Sequence, residues 1–420
     1  GFGILFMIGL PRLLALLLVP GKTYPLYGPH HLLFSYTQLF SNVAFFKTLF
    51  GDSSFKPHFL KWMGWGLGKV LKQTGTNFGL VERQDIPTLC EVGTGTMVSD
   101  GLDVVNASFS TSSFVIAPAS IGDESYVGTS VLYPYDARVG NNCLLATRVM
   151  VPTDGEVKHN VGLLGAPAFE IPRSTFVEGS LSVEELEAMR LEKLPEKNKY
   201  NLITIGSFLL STWFLFVSML VFAYVGFLGY ADFGVISFVA VTGAAFVYYL
   251  FFAWLLDWMS RGYKSLHAMY RTIYDKDFWQ IENYWKLGAS DSPPIFRGTP
   301  FRPLLWRLLG VKMGARVFDD GVSISERTLL EVGDDTILNR VTLIQSHSLE
   351  DGFYKSEPIK IGKRCTIGAH ALIHYGTELQ DDTLLEADAY LMKGETTSPN
   401  SIWVGNPAHQ QQDGTTPKQA

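Results

Sequence analysis

A histidine flanked by acids lies in the segment Ser346-His347-Ser348-Leu349-Glu350-Asp351-Gly352, with Lys355, Ser356 and Glu357 close behind it. Imidazole is the side chain whose unperturbed pKa lies near neutrality, so such a residue can take a proton from an amine or alcohol during acyl transfer. A neighbouring carboxylate can orient the ring and stabilise its protonated form, which makes His347, Glu350 and Asp351 the catalytic candidates. A lysine-like amine acceptor, with a reference pKa of about 10.4, arrives charged and must lose a proton before it attacks. Glu350, Asp351 and Glu357 could hold that cation, and Lys355, Ser356, Glu357 and His374 are the substrate-binding candidates. His374 also carries a structural reading, as does His370, because both fall on regular positions of a repeat. No metal site is expected, since His347 with Glu350 or Asp351 has no fixed ligand spacing. Cys90, Cys143 and Cys365 are too scattered for a disulfide framework or a metal site and read as reduced thiols.

The histidine segment interrupts an internal repeat. Apolar residues recur every sixth position at Ile121, Val127, Tyr133, Val139, Leu145 and Val151, and again at Ile361, Ile367, Ile373, Leu379, Leu385 and Leu391. The two series are 240 residues apart and match without a gap: Val92-Gly93 pairs with Val332-Gly333, and Gly165-Ala166-Pro167-Ala168 with Gly405-Asn406-Pro407-Ala408. Under this register His347 falls opposite Ala107. A six-residue period suits a parallel β-helix in which three hexads make one coil and each apolar residue points inward. A sandwich or barrel would instead alternate with period two. In the second copy hexads begin at Val332, Leu338 and Ile344 and resume at Ile361, leaving Glu350 to Lys360 as an excursion of eleven residues. Loops extruded from a rigid coil are where binding and catalytic groups concentrate.

A net charge of −6 without a long basic run gives no electrostatic footprint for nucleic acid, and that class of partner is excluded. Gly206 to Tyr230 and Phe233 to Trp258 are apolar runs that each exceed the ~20 residues needed to span a bilayer. Only Asp232 separates them in charge, so they read as a transmembrane hairpin with both repeat lobes on one side. Lys193, Lys197, Lys199, Arg261 and Lys264 flank the hairpin while its turn carries no Lys or Arg, which places the lobes in the cytoplasm. Ser182-x-x-Glu185 is a capping box opening a charged linker helix, and the aromatic stretch from Arg261 to Leu287 is expected at the lipid headgroups. The chain opens on Gly1 and is apolar from its first residues, as expected for a piece of a longer polypeptide; no basic region precedes this stretch to suggest a signal peptide.

These readings divide the chain into a membrane or interfacial segment (1–50), a first, non-catalytic lobe (51–173), a charged linker helix (174–200), a transmembrane hairpin (201–260), an interfacial connector (261–308), a second, catalytic lobe (309–409) and a flexible tail (410–420). The expected fold class is mainly β, with two tandem left-handed parallel β-helix lobes of hexapeptide repeats joined by transmembrane α-helices.

The second lobe resembles the hexapeptide-repeat terminal region of nonribosomal peptide synthetase-like proteins of the epsilon-poly-L-lysine synthetase type. The residues that carry the resemblance are Phe296-Arg297-Gly298-Thr299-Pro300-Phe301, Trp306-Arg307-Leu308-Leu309-Gly310, Val317-Phe318-Asp319-Asp320-Gly321, the His347 segment with Lys355-Ser356, His374-Tyr375-Gly376, Leu391-Met392-Lys393-Gly394-Glu395 and Gly405-Asn406-Pro407-Ala408. The first lobe matches more loosely through Tyr24-Pro25-Leu26-Tyr27-Gly28 and His31. The resemblance implies upstream adenylation and carrier domains and a donor thioester on the carrier's phosphopantetheine, with no cofactor bound by this region itself. It implies amide formation with an amine acceptor such as an amino acid or short peptide, next to the lipid bilayer. The chain departs from the family in showing two lobes where the family can have three, and in reading Gly352-Phe353-Tyr354-Lys355 where a small residue is expected before one aromatic. A membrane acetyltransferase using acetyl-CoA would need the same base, and a non-catalytic scaffold would need none.

Overall fold

The computed structural model describes residues 2–68, 78–79, 81–173, 183–288, 293–350 and 352–411. Ser182 of the expected capping box, the candidate Asp351 and the tail from 412 onward lie outside the described residues. In the C-terminal part, the hexad residues line the inside of a three-faced parallel β-helix. On one face Met313, Val332, Ile361 and Leu379 are successive partners; on the next, Asp319, Leu338, Ile367, Leu385 and Trp403; on the third, Ile324, Ile344, Ile373 and Leu391. These pairings are parallel, and the apolar members form one buried core. Period six arises because each coil must turn a corner after every short strand. The corners fall at Arg364 (φ 55°), His370 (φ 58°), Gly376 (φ 72°), Asp382 (φ 60°), Asp388 (φ 59°) and Gly394 (φ 73°), one per hexad. Left-handed backbone favours glycine and tolerates short polar side chains such as Asp and Asn, which accounts for the polar and small residues between the apolar ones. Shortening the buried Ile367 to Val should cost about 0.5–1.5 kcal/mol, read as a lower urea midpoint for loss of the C-terminal β signal.

The described residues between 66 and 172 repeat the arrangement. Val92 pairs with Ile121 and Ile121 with Val139; Val98 with Val127, Leu145 and Leu163 in turn; and Val104 with Tyr133. Corners recur at Glu124, Ser130, Asp136, Asn142 and Arg148, all with positive φ. This second core is separate from the first. Each stack also extrudes a hairpin at the same place: Ala107–Phe109 with Ser113–Ile116, and His347–Glu350 with Phe353–Ser356. A strand from elsewhere completes each hairpin as a three-stranded antiparallel sheet, Thr23–Pro25 in the first case and Met269–Thr272 in the second. The second hairpin thus begins before the excursion, with His347 on its first strand, and takes in the described excursion residues Glu350 and Phe353–Ser356.

Two helices, Val183–Phe233 and Val235–Ser260, are long and apolar enough to cross a membrane, each with a mean hydropathy of 2.1 in its most apolar window. They run antiparallel from a turn at Gly234 (φ 57°), and Ser237 Oγ donates to the Gly226 carbonyl at 2.8 Å where the helices approach. The expected charged linker and first apolar run are one continuous helix, because no turn residue separates them and Pro195 is accommodated within it. Part of the aromatic stretch expected at the headgroups is buried within the protein, while Tyr263 and Tyr270 are exposed. Helix Lys276–Leu287 buries Phe278, Trp279 and Ile281 against Ile273, Leu349 and Tyr354, so it is a wedge of core beside the second hairpin. Lys197, read from sequence as an orienting charge, is fully buried in an ion pair with Glu282 of this wedge at 2.7 Å.

Candidate active site

Strand pairing brings a carboxylate to His347 from one coil earlier. Ile324 pairs with Ile344, and Ser325 Oγ accepts from the Ser346 amide at 3.1 Å, so the next residue, Glu326, meets the start of the hairpin. Glu326 Oε1 lies 2.8 Å from His347 Nδ1, at contact distance rather than as a well-aligned N–H···O bond. The carboxylate is fully buried; Trp285 Nε1 donates to Oε1 at 2.8 Å and Ser325 Oγ to Oε2 at 2.5 Å. The imidazole is held between the rings of Trp285 and Tyr354, with centroids 4.7 and 5.6 Å away.

The other ring nitrogen, Nε2, faces the first stack. Asp100 Oδ2 is 3.9 Å from it, and Gln345 Nε2, 3.3 Å from the same nitrogen, donates to Thr129 Oγ1 at 3.3 Å. Thr129 and Asp100 belong to the N-terminal coil, so the site lies where the two stacks meet. The junction is fastened nearby: Asn406 Nδ2 donates to the Arg148 carbonyl at 2.9 Å, Arg148 donates to the His370 carbonyl, and the Gly352 amide points at Met97 Sδ.

With Nδ1 beside a carboxylate, the neutral ring carries its proton there, and the Nε2 lone pair faces the Gln345 amide and the first stack. Burial pulls the His347 pKa down, but the Glu326 charge and contact, aided by Asp100 and Asp52, outweigh it and hold the pKa above 6.5. The partner moves the other way: burial raises Glu326, and His347, Ser325 and Trp285 together bring it below 4.5.

The remaining candidates lie elsewhere. Glu350 is not on the imidazole: its carboxylate pairs with Lys393 at 2.8 Å and Lys355 at 3.5 Å. Side chains alternate along a strand, so a residue three positions from His347 projects to the opposite face and about 10 Å along it. The acid beside the ring is thus Glu326 in place of Glu350. Lys355 Nζ also lies 5.5 Å from the Tyr270 ring centre, Ser356 Oγ accepts from the Met269 amide at 3.2 Å, and the Glu357 amide donates to the Ser346 carbonyl. His374 Nε2 donates to the His347 carbonyl at 3.1 Å and its Nδ1 accepts from Tyr390 OH at 3.2 Å, so both nitrogens are engaged within the protein. Burial pushes its pKa down to about 4, and it acts as a neutral brace for the His347 backbone. His370 sits on a corner with Nδ1 against Asp388.

Glu326, Trp285, Gln345, Thr129 and Asp100 were not anticipated from sequence. For Glu326 a signal existed in the coil register, which places residue 326 beside residue 346. The same register gives the first stack Ile86 and Ala107 at the positions of Glu326 and His347, and both are buried in one apolar cluster. That stack has neither half of the dyad.

Residues 358–393 match a family described as the hexapeptide repeat of succinyl-transferase. This segment is a hexapeptide repeat. A curated relative, delta-poly-L-ornithine synthetase of Acinetobacter baumannii (strain AB307-0294), is 30% identical over 159 residues, 37% of this chain. The match spans only 12% of that relative's length. Among solved structures, a hexapeptide-repeat acetyltransferase from Vibrio cholerae is similar at TM-score 0.23 and 17% identity, covering 25% of this chain and 62% of the other. A maltose O-acetyltransferase from Clostridium difficile 630 is similar at TM-score 0.22 and 19% identity, covering 26% and 73%.

Proposed function

We propose that this chain is the membrane-anchored acyl-transfer region of a nonribosomal peptide synthetase-like protein, forming an amide between an aminoacyl thioester and an amine. The observation that carries this reading is the buried His347–Glu326 dyad, with the base nitrogen turned toward the junction of the two stacks. The acceptor nitrogen attacks the thioester carbonyl, a C–N bond forms and the C–S bond breaks. His347 Nε2 takes a proton from the nitrogen and returns it to the departing thiolate, so that amide and free thiol are the products. Glu326 stabilises the transient imidazolium, as the triad carboxylate does in serine hydrolases.

In this reading the stacks are tandem left-handed coils, the first a scaffold that completes the site, and the two apolar helices span the bilayer with both stacks on the cytoplasmic side. The donor is a phosphopantetheine thioester on a carrier loaded by an adenylation domain, consistent with the likeness to a poly-ornithine synthetase. The match to the hexapeptide repeat of succinyl-transferase supports a second donor, an acyl-coenzyme A, which presents the same thioester.

The test supplies the purified chain with an amine and either an aminoacyl-pantetheine thioester or acetyl-CoA, and follows amide and thiol together. Amide from the aminoacyl thioester that depends on His347 supports the first reading. Amide from acetyl-CoA alone moves the assignment to an acetyltransferase, and no amide from either donor leaves a membrane scaffold.

A further inference from the structure

The helix Phe301–Leu308 reverses the polarity expected of a helix at a water-facing surface. Its Arg302 is 1% exposed and pairs with Asp319 at 2.8 Å, and Trp306 is buried beside it, whereas Phe301, Leu304 and Leu308 face outward. Arg307 turns back to the Met313 and Gly314 carbonyls. An apolar outer face of this kind is the mark of a helix in contact with lipid. The preceding turn, Pro294–Phe296, exposes Ile295 and lays the Phe296 ring 5.8 Å from Phe246 of the long helix Val235–Ser260. Between that helix and Phe301–Leu308 lies a cavity of about 320 Å³, within the range of small-molecule sites. Leu250 and Trp254 line it from the long helix and Leu305 from the short one, together with Arg327, whose guanidinium is engaged by Asp257 and the Gly288 carbonyl. Val247, Phe251 and Leu308 also line the cavity and are exposed, so it opens on the apolar outside of the long helix.

Position along the long helix says what that opening meets. Asp257 marks its charged end, buried between Arg261 and Arg327, and Val247 lies about 15 Å of helix away from it. Trp254 and Trp258 stack at this end, with Tyr263 against Trp258, as an aromatic belt does at a headgroup boundary. A hydrocarbon core about 30 Å thick gives each leaflet about 15 Å, so the cavity falls at acyl-chain depth in the leaflet nearest the stacks. Water gains little in an apolar cavity, and an empty one forfeits packing contacts. We propose that this cavity holds an acyl chain of a membrane phospholipid, seated between the spanning helix and Phe301–Leu308. The inference rests on the membrane part of the reading above and adds a lipid site to it. It gives a role to the segments Phe296–Phe301 and Trp306–Gly310, which take no part in the His347 site: Phe301 and Leu308 meet the bilayer while Leu305 meets the bound chain.

The experiment strips the full chain of lipid in dodecyl maltoside, adds phosphatidylcholine, and counts the phospholipid retained per chain when the micelle is removed in a mass spectrometer. Wild type and Leu304→Trp, a substitution on the outward face, should each keep about one phosphatidylcholine. Leu305→Trp and Leu250→Trp, which fill the cavity from its two sides, should keep about tenfold less, because excluding as few as two chain CH₂ groups from burial forfeits roughly that factor. A wild type that keeps no phospholipid, or that holds detergent or added palmitate in its place, overturns the proposal, as do folded Leu305→Trp and Leu250→Trp chains that keep as much as wild type. A phosphatidylcholine carrying a mid-chain diazirine, photolysed in vesicles with wild type, should mark Leu305. This arm needs no variant to fold, and adducts confined to residues outside the cavity would sink the lipid site. Alkaline washing of the same vesicles separates the two readings. A chain released by the wash has no spanning helices, and the membrane reading itself fails; a chain that stays with the vesicles but keeps no phosphatidylcholine loses only the cavity assignment.

Discussion

Substituting His347 with alanine should lower the rate of amide formation by about 10²–10⁴-fold, the usual contribution of a positioned general base. The effect should fall on kcat and on kcat/KM alike, because the proton is transferred only as the C–N bond forms. Folding should suffer as well, since a buried ring and the counter-charge of the buried Glu326 are lost together, but Glu326 keeps other donors. Removing the imidazole leaves Glu326 with Trp285 Nε1 and Ser325 Oγ still donating to it, and the His347 carbonyl that His374 braces is backbone and remains. Steady-state kinetics with a thioester donor, together with a thermal unfolding comparison, gives both numbers. A variant that folds like wild type and transfers at an undiminished rate would remove His347 from the mechanism.

Replacing Glu326 with glutamine should produce a comparable loss, with a signature in pH that the first substitution cannot show. The carboxylate is the leading upward influence on the His347 pKa, against a larger downward influence from burial. In wild type the base must be neutral, so the rate rises with pH through a value held above 6.5. In Glu326→Gln that limb should move to lower pH while the plateau falls by about 10²–10⁴-fold, because the imidazolium formed in the transition state loses its counter-charge. The linked stability has a definite sign. The raised His347 pKa gives stability that is fully present below 6.5 and is lost as pH rises through the folded-state value. The depressed Glu326 pKa gives stability present above 4.5 and lost as pH falls through its folded-state value. Between those limits both ends of the pair are charged, and the wild-type excess in stability over Glu326→Gln should be greatest there. A pH series of rates and unfolding midpoints measures both; a limb that stays in place would mean that Glu326 does not set the base.

Sequence alone determined the features that repeat or that depend on near neighbours. Ile361, Ile367, Ile373, Leu379, Leu385 and Leu391 announce a coil because inward positions recur once per corner, and this period needs no knowledge of the fold. The two apolar helices are legible because helix length and hydropathy are local sums. His347 stood out because its segment breaks the repeat, and a break in a regular coil is visible without coordinates.

What tertiary structure decided was which groups the histidine meets. Glu350 and Asp351 lie nearest in sequence, but an extended strand carries its third residue about 10 Å away and turns it to the other face. Glu326, twenty-one residues upstream, arrives because the coils stack one residue directly over another. Trp285 comes from a helix whose aromatic residues looked suited to a lipid surface and instead pack as core. Asp100 and Thr129 come from the other stack, through a junction between surfaces that no periodicity within either stack describes. A hexad pattern specifies the inside of a coil; the chemistry here is assembled between coils and between stacks, where distance along the chain has no bearing on distance in space.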